Sequence, residues 1–253
     1  MLNPICFFLL FVRLSPRAPV TDFSNIDIPI PDAYDFLKEY PICDFGPLSQ
    51  ECGCCYAYGV IKAMSHRFCK LMNKSILLSS QYIVACDLVD NACVGGCERS
   101  VFYFMEQHGI TDVDCHPWRS KKTYDASYCL KCSTNATYKV FKAEYASTTH
   151  YVGVENIKKA ILLHGPVSAS IACDRQFASY RGGIYTSSLI GKIEAGNHAV
   201  EIIGWGIEKN IEYWILLNQY GTHWGENGRM RIKMHSNEGL VESFVYGAMP
   251  KIE

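Results

Sequence analysis

Thirteen cysteines in a chain of 253 residues constrain the fold more than any other feature of this sequence. So many thiols at irregular spacing favour a disulfide framework, which forms and persists in an oxidising compartment. The alternative is zinc binding, since Cys52, Cys54 and Cys55 lie close together and Cys129-x-x-Cys132 has the spacing of half a zinc knuckle. No second half with regular Cys and His spacing follows, so we expect disulfides, and neither a metal site nor a cofactor.

The composition favours a folded chain with a sizeable core. Hydrophobic residues make up 49% of the sequence, and the net charge of −1 offers no electrostatic basis for binding nucleic acid or an anionic membrane. The apolar run Ile5–Val12 is too short to span a bilayer but fits the centre of a signal peptide. No basic residue precedes the run, and no clear cleavage site follows it. We therefore predict secretory entry and no membrane span in the mature chain.

Hydrophobic periodicity predicts helices first and strands later, which is an α+β arrangement and not a βαβ repeat. The predicted helices are 55–72, 80–86 with Ser79 or Ser80 as cap, 99–108 and 155–164, and the predicted strands are 167–172, 199–207, 213–218 and 229–234. A helical lobe and a β-rich lobe would leave a cleft between them, where functional sites commonly lie.

Three segments carry chemically informative residues. They are Gln50-Glu-Cys-Gly-Cys-Cys-Tyr-Ala-Tyr58, the stretch from Gly196 to Gly206 around His198, and the stretch from Tyr213 to Gly228 around Asn218. Cys55 stands at the predicted start of a helix, where the positive end of the helix dipole favours the reactive thiolate. These segments resemble the nucleophile, histidine and asparagine motifs of the papain family of cysteine peptidases, in the family's order and at similar separations. The resemblance runs from about Pro31 to the end of the chain.

The resemblance implies a papain-like fold of two lobes with the active site in the cleft. It implies that Cys55 attacks the peptide carbonyl, that His198 is the base and that Asn218 orients it. It further implies a thiolate–imidazolium pair with a cysteine pKa of roughly 3–4. The oxyanion would be stabilised by the Cys55 backbone N–H and by Gln50. The implied domains are a signal peptide at 1–18, a lead-in or residual prosegment at 19–29 and a peptidase domain at 30–253.

Cathepsin B-like members are the most similar subfamily, because of the motifs around Cys43, Cys69, Cys93 and Cys115. Carried across position by position, the resemblance implies four disulfides, which are Cys43–Cys69, Cys52–Cys93, Cys86–Cys129 and Cys115–Cys132. Cys55 stays a thiol, and no partner is assigned to Cys6, Cys54, Cys97 or Cys173.

Several positions depart from the family pattern. Gln50 stands five residues before Cys55 where the family has six, so either Gln50 still reaches the oxyanion or Ser49 takes that position. Loss of one such donor lowers the rate on the order of 10²–10³-fold. Side chains around the catalytic residues also differ from those of the family, at Cys54, Tyr56, Gln219 and Tyr220.

The segment that forms the occluding loop in cathepsin B is short, and the predicted prosegment is very short. The loop lacks the paired histidines that bind a substrate's C-terminal carboxylate. His116 is expected to be structural, and Lys121 and Lys122 are expected in a solvated turn. The sequence therefore predicts endopeptidase activity without removal of C-terminal dipeptides.

The resemblance also implies a set of substrate-binding residues, which are Gly95, Gly96, Cys97, Ser170, Ala199, Tyr220, Trp224 and Ser243. Counted from Gly239, Ser243 would form the floor of the pocket for the second residue before the scissile bond. Glu242, as its neighbour on a strand, would point away. A neutral floor predicts Leu, Val or Phe over Arg at that position, unless Glu98 supplies a carboxylate from the rim.

We expect a cysteine endopeptidase acting on peptides and proteins, in a lysosome-like vacuole or secreted, with cystatin-like inhibitors among the partners that the resemblance implies. The alternative is a weakly active or inactive homologue that binds peptides or proteins, which the altered glutamine spacing and the changed aromatic positions would favour. A disulfide-handling protein using Cys52-Gly-Cys54-Cys55 is disfavoured, since no thioredoxin-like βαβ pattern surrounds those residues.

Overall fold

The computed structural model describes residues 18–119, 123–187 and 197–252. Most of the predicted signal peptide, Cys6, Lys121 and Lys122 lie outside these ranges. Within them the chain combines α-helices with one large sheet. The α-helices are α1 (Phe36–Glu39), α2 (Cys55–Met72), α3 (Ser80–Cys86), α4 (Glu98–Gln107), α5 (Val154–His164) and α6 (Arg175–Ala178). The four predicted helices are confirmed to within one residue at each end, and Ser79 caps α3 through its side chain.

The strands of the described residues form a single mixed sheet. They are β1 (Val20–Thr21), β2 (Tyr34–Asp35), β3 (Thr149–Tyr151), β4 (Val167–Ile171), β5 (Ile184–Tyr185), β6 (His198–Glu208), β7 (Ile211–Leu217), β8 (Arg229–Lys233) and β9 (Val245–Gly247). Their order is β1-β3-β9-β4-β6-β7-β8-β5, and β2 pairs with β6. The four predicted strands are confirmed as β4, β6, β7 and β8. The short strands were not predicted, because two or three residues carry no readable period.

Helix α2 is the central element, since every residue from 56 to 69 is buried. It ends at Asn73, which adopts the left-handed conformation that stops a helix. Gly59 lets the helix lie directly on the sheet, because an added Cβ would come within 2.9 Å of the Ser168 hydroxyl and 3.1 Å of the Ala199 Cβ. The first turn of α2 is thereby brought to the beginning of β6.

Two hydrophobic cores flank this contact. One core is formed around α2, α3 and α4 and includes Val60, Met64, Phe68 and Phe102. The other is formed by side chains of the sheet and includes Trp214. The division of the cores confirms the predicted helical and β-rich lobes. No helix within the described ranges is long and apolar enough to cross a membrane.

The four expected disulfides are confirmed. Cys43–Cys69, Cys52–Cys93, Cys86–Cys129 and Cys115–Cys132 are all formed. Cys97 is disulfide-bonded as well, whereas Cys54, Cys55 and Cys173 are free thiols. The bridges close loops in the helical half of the chain, where long connections separate short elements.

Arg67 joins α2 to two other parts of the fold. Its guanidinium is buried and donates to the carbonyl oxygens of Pro166 at 2.7 Å, Ala248 at 2.8 Å and Gly165 at 3.3 Å. These carbonyls lie before β4 and after β9, so one side chain connects the central helix to both strands. If Arg67 were removed, the three buried carbonyl oxygens would lose the donor that they share, and each would be left unpaired.

We predict that Arg67→Ala lowers the free energy of unfolding by about 3 kcal/mol or more, because it leaves buried carbonyls unpaired and opens a cavity. Urea unfolding followed by circular dichroism measures this change. Arg181→Ala is the control, since Arg181 is exposed and its guanidinium donates to the carbonyl of the adjacent residue, Tyr180. It should change stability by less than about 0.5 kcal/mol. Equal effects of the two substitutions would contradict the role of Arg67.

Candidate active site

Cys55 is the first residue of α2, and its side chain is half-buried. Burial raises the pKa of the Cys55 thiol to about 11, and the charge of Glu98 adds to the rise. Hydrogen bonding to the sulfur from the backbone of Ala199, Tyr56 and Cys55 itself opposes the shift. The side chain of Cys54, which precedes the helix, does not cap the first N–H groups. These N–H groups are therefore available to donate to the Cys55 sulfur.

His198 and Asn218 form a hydrogen-bonded pair beside this thiol. His198 begins β6 and Asn218 directly follows β7, so the antiparallel pairing of the two strands brings them together. The His198 Nε2–H donates to Asn218 Oδ1 at 2.8 Å, and the same oxygen accepts from the Gln219 backbone N–H at 2.8 Å. Since a carbonyl oxygen only accepts, the ring proton resides on Nε2 and Nδ1 carries the free lone pair.

Burial disfavours the charged form of both the thiol and the imidazole. Burial lowers the pKa of His198 to about 4, and the charge of Lys62 lowers it further, whereas the bond to Asn218 opposes the shift. The hydrogen bonds at the sulfur and the bond from His198 to Asn218 offset part of this cost. The thiolate–imidazolium pair that the family resemblance implies stays a prediction.

Three aromatic side chains surround the ring of His198. Tyr220 packs against it with centroids 5.0 Å apart, and Phe177 approaches edge-on at 5.8 Å. Trp224 packs on both Tyr220 and Phe177. Tyr220 is 38% exposed whereas His198 is 6% exposed, so Tyr220 lies on the solvent side of the imidazole. The sequence indicated Tyr220 and Trp224 but missed Phe177, which lies in α6 within no recognisable motif.

Gln219 is a second residue that the sequence analysis did not assign to the site. It is fully buried, and its Nε2 donates to the carbonyl of Ala199 at 2.6 Å and lies 3.4 Å from His198 Nε2. The side chain therefore joins β6 to the segment after β7, right behind the imidazole. Its position next to Asn218 in the sequence could have indicated a place in the site, but a glutamine at this position resembles no motif of the family.

Gln50 and Ser49 lie on a loop that is attached to the asparagine segment. The Ser49 backbone pairs with Tyr220 as an isolated bridge, and the Gln50 backbone N–H donates to the carbonyl of Gln219. The Gln50 Nε2 donates to the carbonyl of Cys52 at 2.9 Å, and one of its two hydrogens remains for another acceptor. The role of Gln50 as the oxyanion donor stays a prediction.

The glycines expected to bind substrate lie close to the nucleophile loop. Gly95 and Gly96 follow a short 3₁₀ helix, and Gly53 donates to the carbonyl of Cys93 at 3.0 Å. An added Cβ on Gly96 would meet the ring of Tyr56 at 2.6 Å, so the backbone passes directly over this ring. The Tyr56 hydroxyl donates to the carbonyl of Ala92 at 3.0 Å, which holds the loop in place.

The expected specificity pocket is brought together only in part. Ser170 and Ala199 are register partners on β4 and β6, and Ala199 contacts the nucleophile. The Ser170 hydroxyl donates to the Glu98 carboxyl at 2.6 Å, and Glu98 is only 5% exposed. Cys97 precedes this glutamate in the chain.

Ser243 lies next to a residue that contacts the expected pocket wall. Its hydroxyl accepts from Asn237 Nδ2 at 2.7 Å, and the backbone carbonyl of Phe244 accepts from the Ser170 N–H at 3.0 Å. The place of Ser243 at the pocket floor stays a prediction. Glu242 points away as expected, with its carboxylate on the Trp214 indole at 2.9 Å.

His116 is buried and structural. Its Nδ1 pairs with the Thr111 hydroxyl at 2.8 Å, and its Nε2 donates to the carbonyl of Lys131 at 3.1 Å. Both ring nitrogens are thus engaged inside the loop that Cys115–Cys132 closes, and neither faces a substrate. In the part of the chain that the structure describes, no group of three His, Cys, Asp or Glu residues is placed to hold a metal ion.

Comparison with known proteins agrees with this geometry. Residues 30–249 match the family described as papain family cysteine protease. The chain is 34% identical to "Cathepsin B-like CP3" of Giardia intestinalis, covering 98% of this chain and 82% of that protein. It is 30% identical to "Cathepsin B-like cysteine proteinase 6" of Caenorhabditis elegans, covering 95% and 73%.

A solved structure has the same fold. "proCathepsin B S9 from Trypanosoma congolense" superposes with a TM-score of 0.82 at 21% identity, covering 93% of this chain and 84% of that one. This likeness concerns the fold, and it agrees with the two lobes and the large sheet described above.

Proposed function

Since the chain belongs to the papain family of cysteine proteases, and its relatives are cathepsin B-like, we propose that Cys55, His198 and Asn218 are the catalytic residues of this cysteine endopeptidase. One observation carries the proposal. The Cys55 sulfur lies against the backbone of Ala199, which is the residue after His198, and the His198 ring is hydrogen-bonded to Asn218. A thiol, a base and a residue that orients the base are the parts required for covalent peptide hydrolysis.

The proton moves in a defined order in this mechanism. The Cys55 sulfur attacks the peptide carbonyl carbon while its proton passes to His198 Nδ1, which is the free nitrogen of the ring. His198 then protonates the leaving amine, and a thioester remains on Cys55. Water attacks the thioester carbonyl after giving a proton to His198, and the carboxylic acid product and the thiol are released.

The oxyanion of both tetrahedral intermediates needs donors that are already in position. The Cys55 backbone N–H at the start of α2 is one, and the free Nε2 hydrogen of Gln50 is the other. Gln50 keeps its place because its backbone is bonded to Gln219 and its amide to Cys52. The one-residue shortening before Cys55 is compatible with this role.

We predict that an epoxysuccinyl probe at pH 5.5 modifies Cys55 alone, and that Cys55→Ala abolishes both labelling and peptide hydrolysis while the fold is kept. Cys54 should remain unlabelled because it is fully buried, and Cys173 because the probe reacts with the sulfur that passes its proton to His198. Peptide mapping by mass spectrometry identifies the labelled residue. Cys54→Ala is the matched control and should retain labelling at Cys55. Hydrolysis by the Cys55→Ala variant at the parent's rate would exclude this nucleophile.

The same proposal covers the surroundings in which the enzyme works. The disulfides call for an oxidising compartment, so we place the peptidase domain at 30–253 in the secretory pathway, in a lysosome-like vacuole or outside the cell. Residues 1–18 would be the signal peptide and 19–29 a short lead-in. Peptides and proteins are the substrates, and cystatin-like inhibitors are the proposed protein partners.

Removal of C-terminal dipeptides is not part of the proposed activity. It requires a cation that pairs with the terminal carboxylate of the substrate. In the described part of the loop closed by Cys115–Cys132, His116 is buried with both nitrogens engaged. The substrate's terminal carboxylate would therefore find no histidine partner there.

We predict that a peptide with a free C-terminus and the same peptide with an amidated C-terminus are cleaved at rates within about twofold, since no charge-assisted bond discriminates them. Mass spectrometry of the products gives the rate and the bond cleaved. A preference of tenfold or more for the free acid, with release of a dipeptide, would contradict the prediction.

Glu98 changes the expected choice of side chain at the second position before the cleaved bond. Its carboxyl lies in the wall formed with Ser170 and close enough to Cys55 for its charge to raise the pKa of the thiol. Burial raises the pKa of Glu98, and the bond from Ser170 opposes the shift. Below its pKa Glu98 is neutral and the pocket favours Leu, Val or Phe, whereas above it the carboxylate is available to an arginine.

We predict that the ratio of kcat/KM for Arg-Arg over Phe-Arg substrates rises with pH as Glu98 ionises. The ratio cancels the titration of Cys55 and His198, because both substrates meet the same catalytic residues. Glu98→Gln should lower cleavage of the Arg-Arg substrate by about tenfold and make the ratio independent of pH. Glu242→Gln is the matched control and should leave the ratio unchanged, because Glu242 faces Trp214. A pH-dependent ratio in Glu98→Gln would overturn this assignment.

A further inference from the structure

We propose that Lys62 is a positioning residue of this peptidase: from the nucleophile helix it holds the backbone that carries Asn218, and so keeps Asn218 in place against His198. The inference rests on the proposed function, because positioning matters only if Asn218 orients the catalytic base. No motif in the sequence pointed to Lys62.

The contacts of Lys62 reach directly into the asparagine segment. Lys62 lies on α2, two turns after Cys55, and is only 3% exposed. Its ammonium donates to the carbonyl oxygen of Leu217 at 3.0 Å and to that of Asn218 at 3.4 Å. Leu217 is the last residue of β7, so Lys62 binds the backbone just where the strand hydrogen bonds end.

The ammonium has a partner of opposite charge in the same interior. Glu201 on β6 is fully buried, and its Oε2 lies 4.0 Å from Lys62 Nζ with no hydrogen bond of its own. Its Oε1 accepts from His66 Nδ1 at 2.6 Å. Ala199 and Glu201 are two positions apart on the strand and face α2 together. An apolar side chain would fill such a helix–sheet contact at less cost, so the buried lysine calls for a reason beyond packing.

The backbone that Lys62 holds has a bonded side and a side next to a cavity. The Asn218 N–H donates to the carbonyl of Gly228 at 3.0 Å, on the side of β8. A cavity of about 70 Å³ borders Lys62, Leu217 and Asn218, and Asp44 and Arg229 also line it. Without the two bonds from Lys62, the carbonyls of Leu217 and Asn218 lose this donor, and the segment has room to shift toward the cavity and draw Asn218 away from His198 Nε2.

Lys62 also acts on His198 through its charge. Burial lowers the pKa of His198, and the nearby cation lowers it further, which favours the uncharged ring. The charged and titratable groups around Lys62 are Glu201 on β6, His66 on α2, and Asp44 and Arg229 across the cavity. Removal of the cation should therefore raise the pKa of His198, and the unpaired Glu201 carboxylate would act in the same direction.

Lys62→Met and Lys70→Met form a matched pair for the test. Lys70 lies on the same helix and also donates to two backbone carbonyls, those of Leu162 at 2.6 Å and Leu163 at 3.0 Å, but it lies away from the site. We expect Lys62→Met to lower kcat at least tenfold with KM changed less than twofold, and to move the acidic limb of the pH–kcat/KM profile to higher pH. Lys70→Met should change neither. Lys62→Gln keeps a hydrogen-bond donor, so it should recover part of kcat relative to Lys62→Met. It also replaces Lys62→Met in the comparison if the methionine variant does not fold.

The low-field proton NMR signal of the His198 Nε2–H, hydrogen-bonded to Asn218, gives a readout that needs no turnover. Asn218→Ala identifies this signal by its loss. We expect the signal to exchange faster with water in Lys62→Met and to be unchanged in Lys70→Met. Absence of peptide cleavage by the parent would refute the proposed function alone, and the NMR comparison would still decide the role of Lys62. Unchanged kcat, pH profile and proton exchange in the Lys62 variants would overturn the inference, as would equal losses in Lys62→Met and Lys70→Met.

Discussion

The close contact between the helix Cys55–Met72 and the strand His198–Glu208 is the constraint on which the rest of the structure depends. Gly59 makes it possible, since any side chain there would collide with Ser168 and Ala199. Because the helix begins at Cys55 and the strand at His198, their close approach brings the thiol to the base. The contact at Gly59 therefore determines how closely the two lobes approach each other, and the cleft lies beside this contact.

The polar residues of the central helix turn this contact into a defined geometry. Lys62, His66 and Arg67 are buried within two turns of one another, and each must find a partner away from the helix. Their partners are carbonyls and one carboxylate on β4, β6, β7 and the end of the chain. Apolar contacts alone would tolerate a small rotation of the helix. Buried hydrogen bonds do not, because a rotation would leave their donors and acceptors unpaired. The helix is thereby held in one orientation.

The surroundings of His198 show how a site accommodates changes in the side chains that build it. Tyr220 and Phe177 pack against the imidazole, and Trp224 packs behind both of them. Gln219 adds a second connection between β6 and the asparagine segment. The same enclosure removes water from the imidazole, and burial therefore disfavours the charged form of the ring.

The sequence by itself determined the order of helices and strands and the four disulfides, and it predicted Cys55, His198 and Asn218 as the catalytic residues, because each of these is recorded in local spacing or in family motifs. Only the tertiary structure decided that His198 is bonded to Asn218, that Gln50 is bonded to Gln219 and that Glu98 faces Ser170. It also revealed the contacts of Phe177, Gln219 and Lys62. The physical reason is that these contacts join segments far apart in the chain or depend on the face of an element that a residue occupies, and neither follows from spacing along one strand or helix.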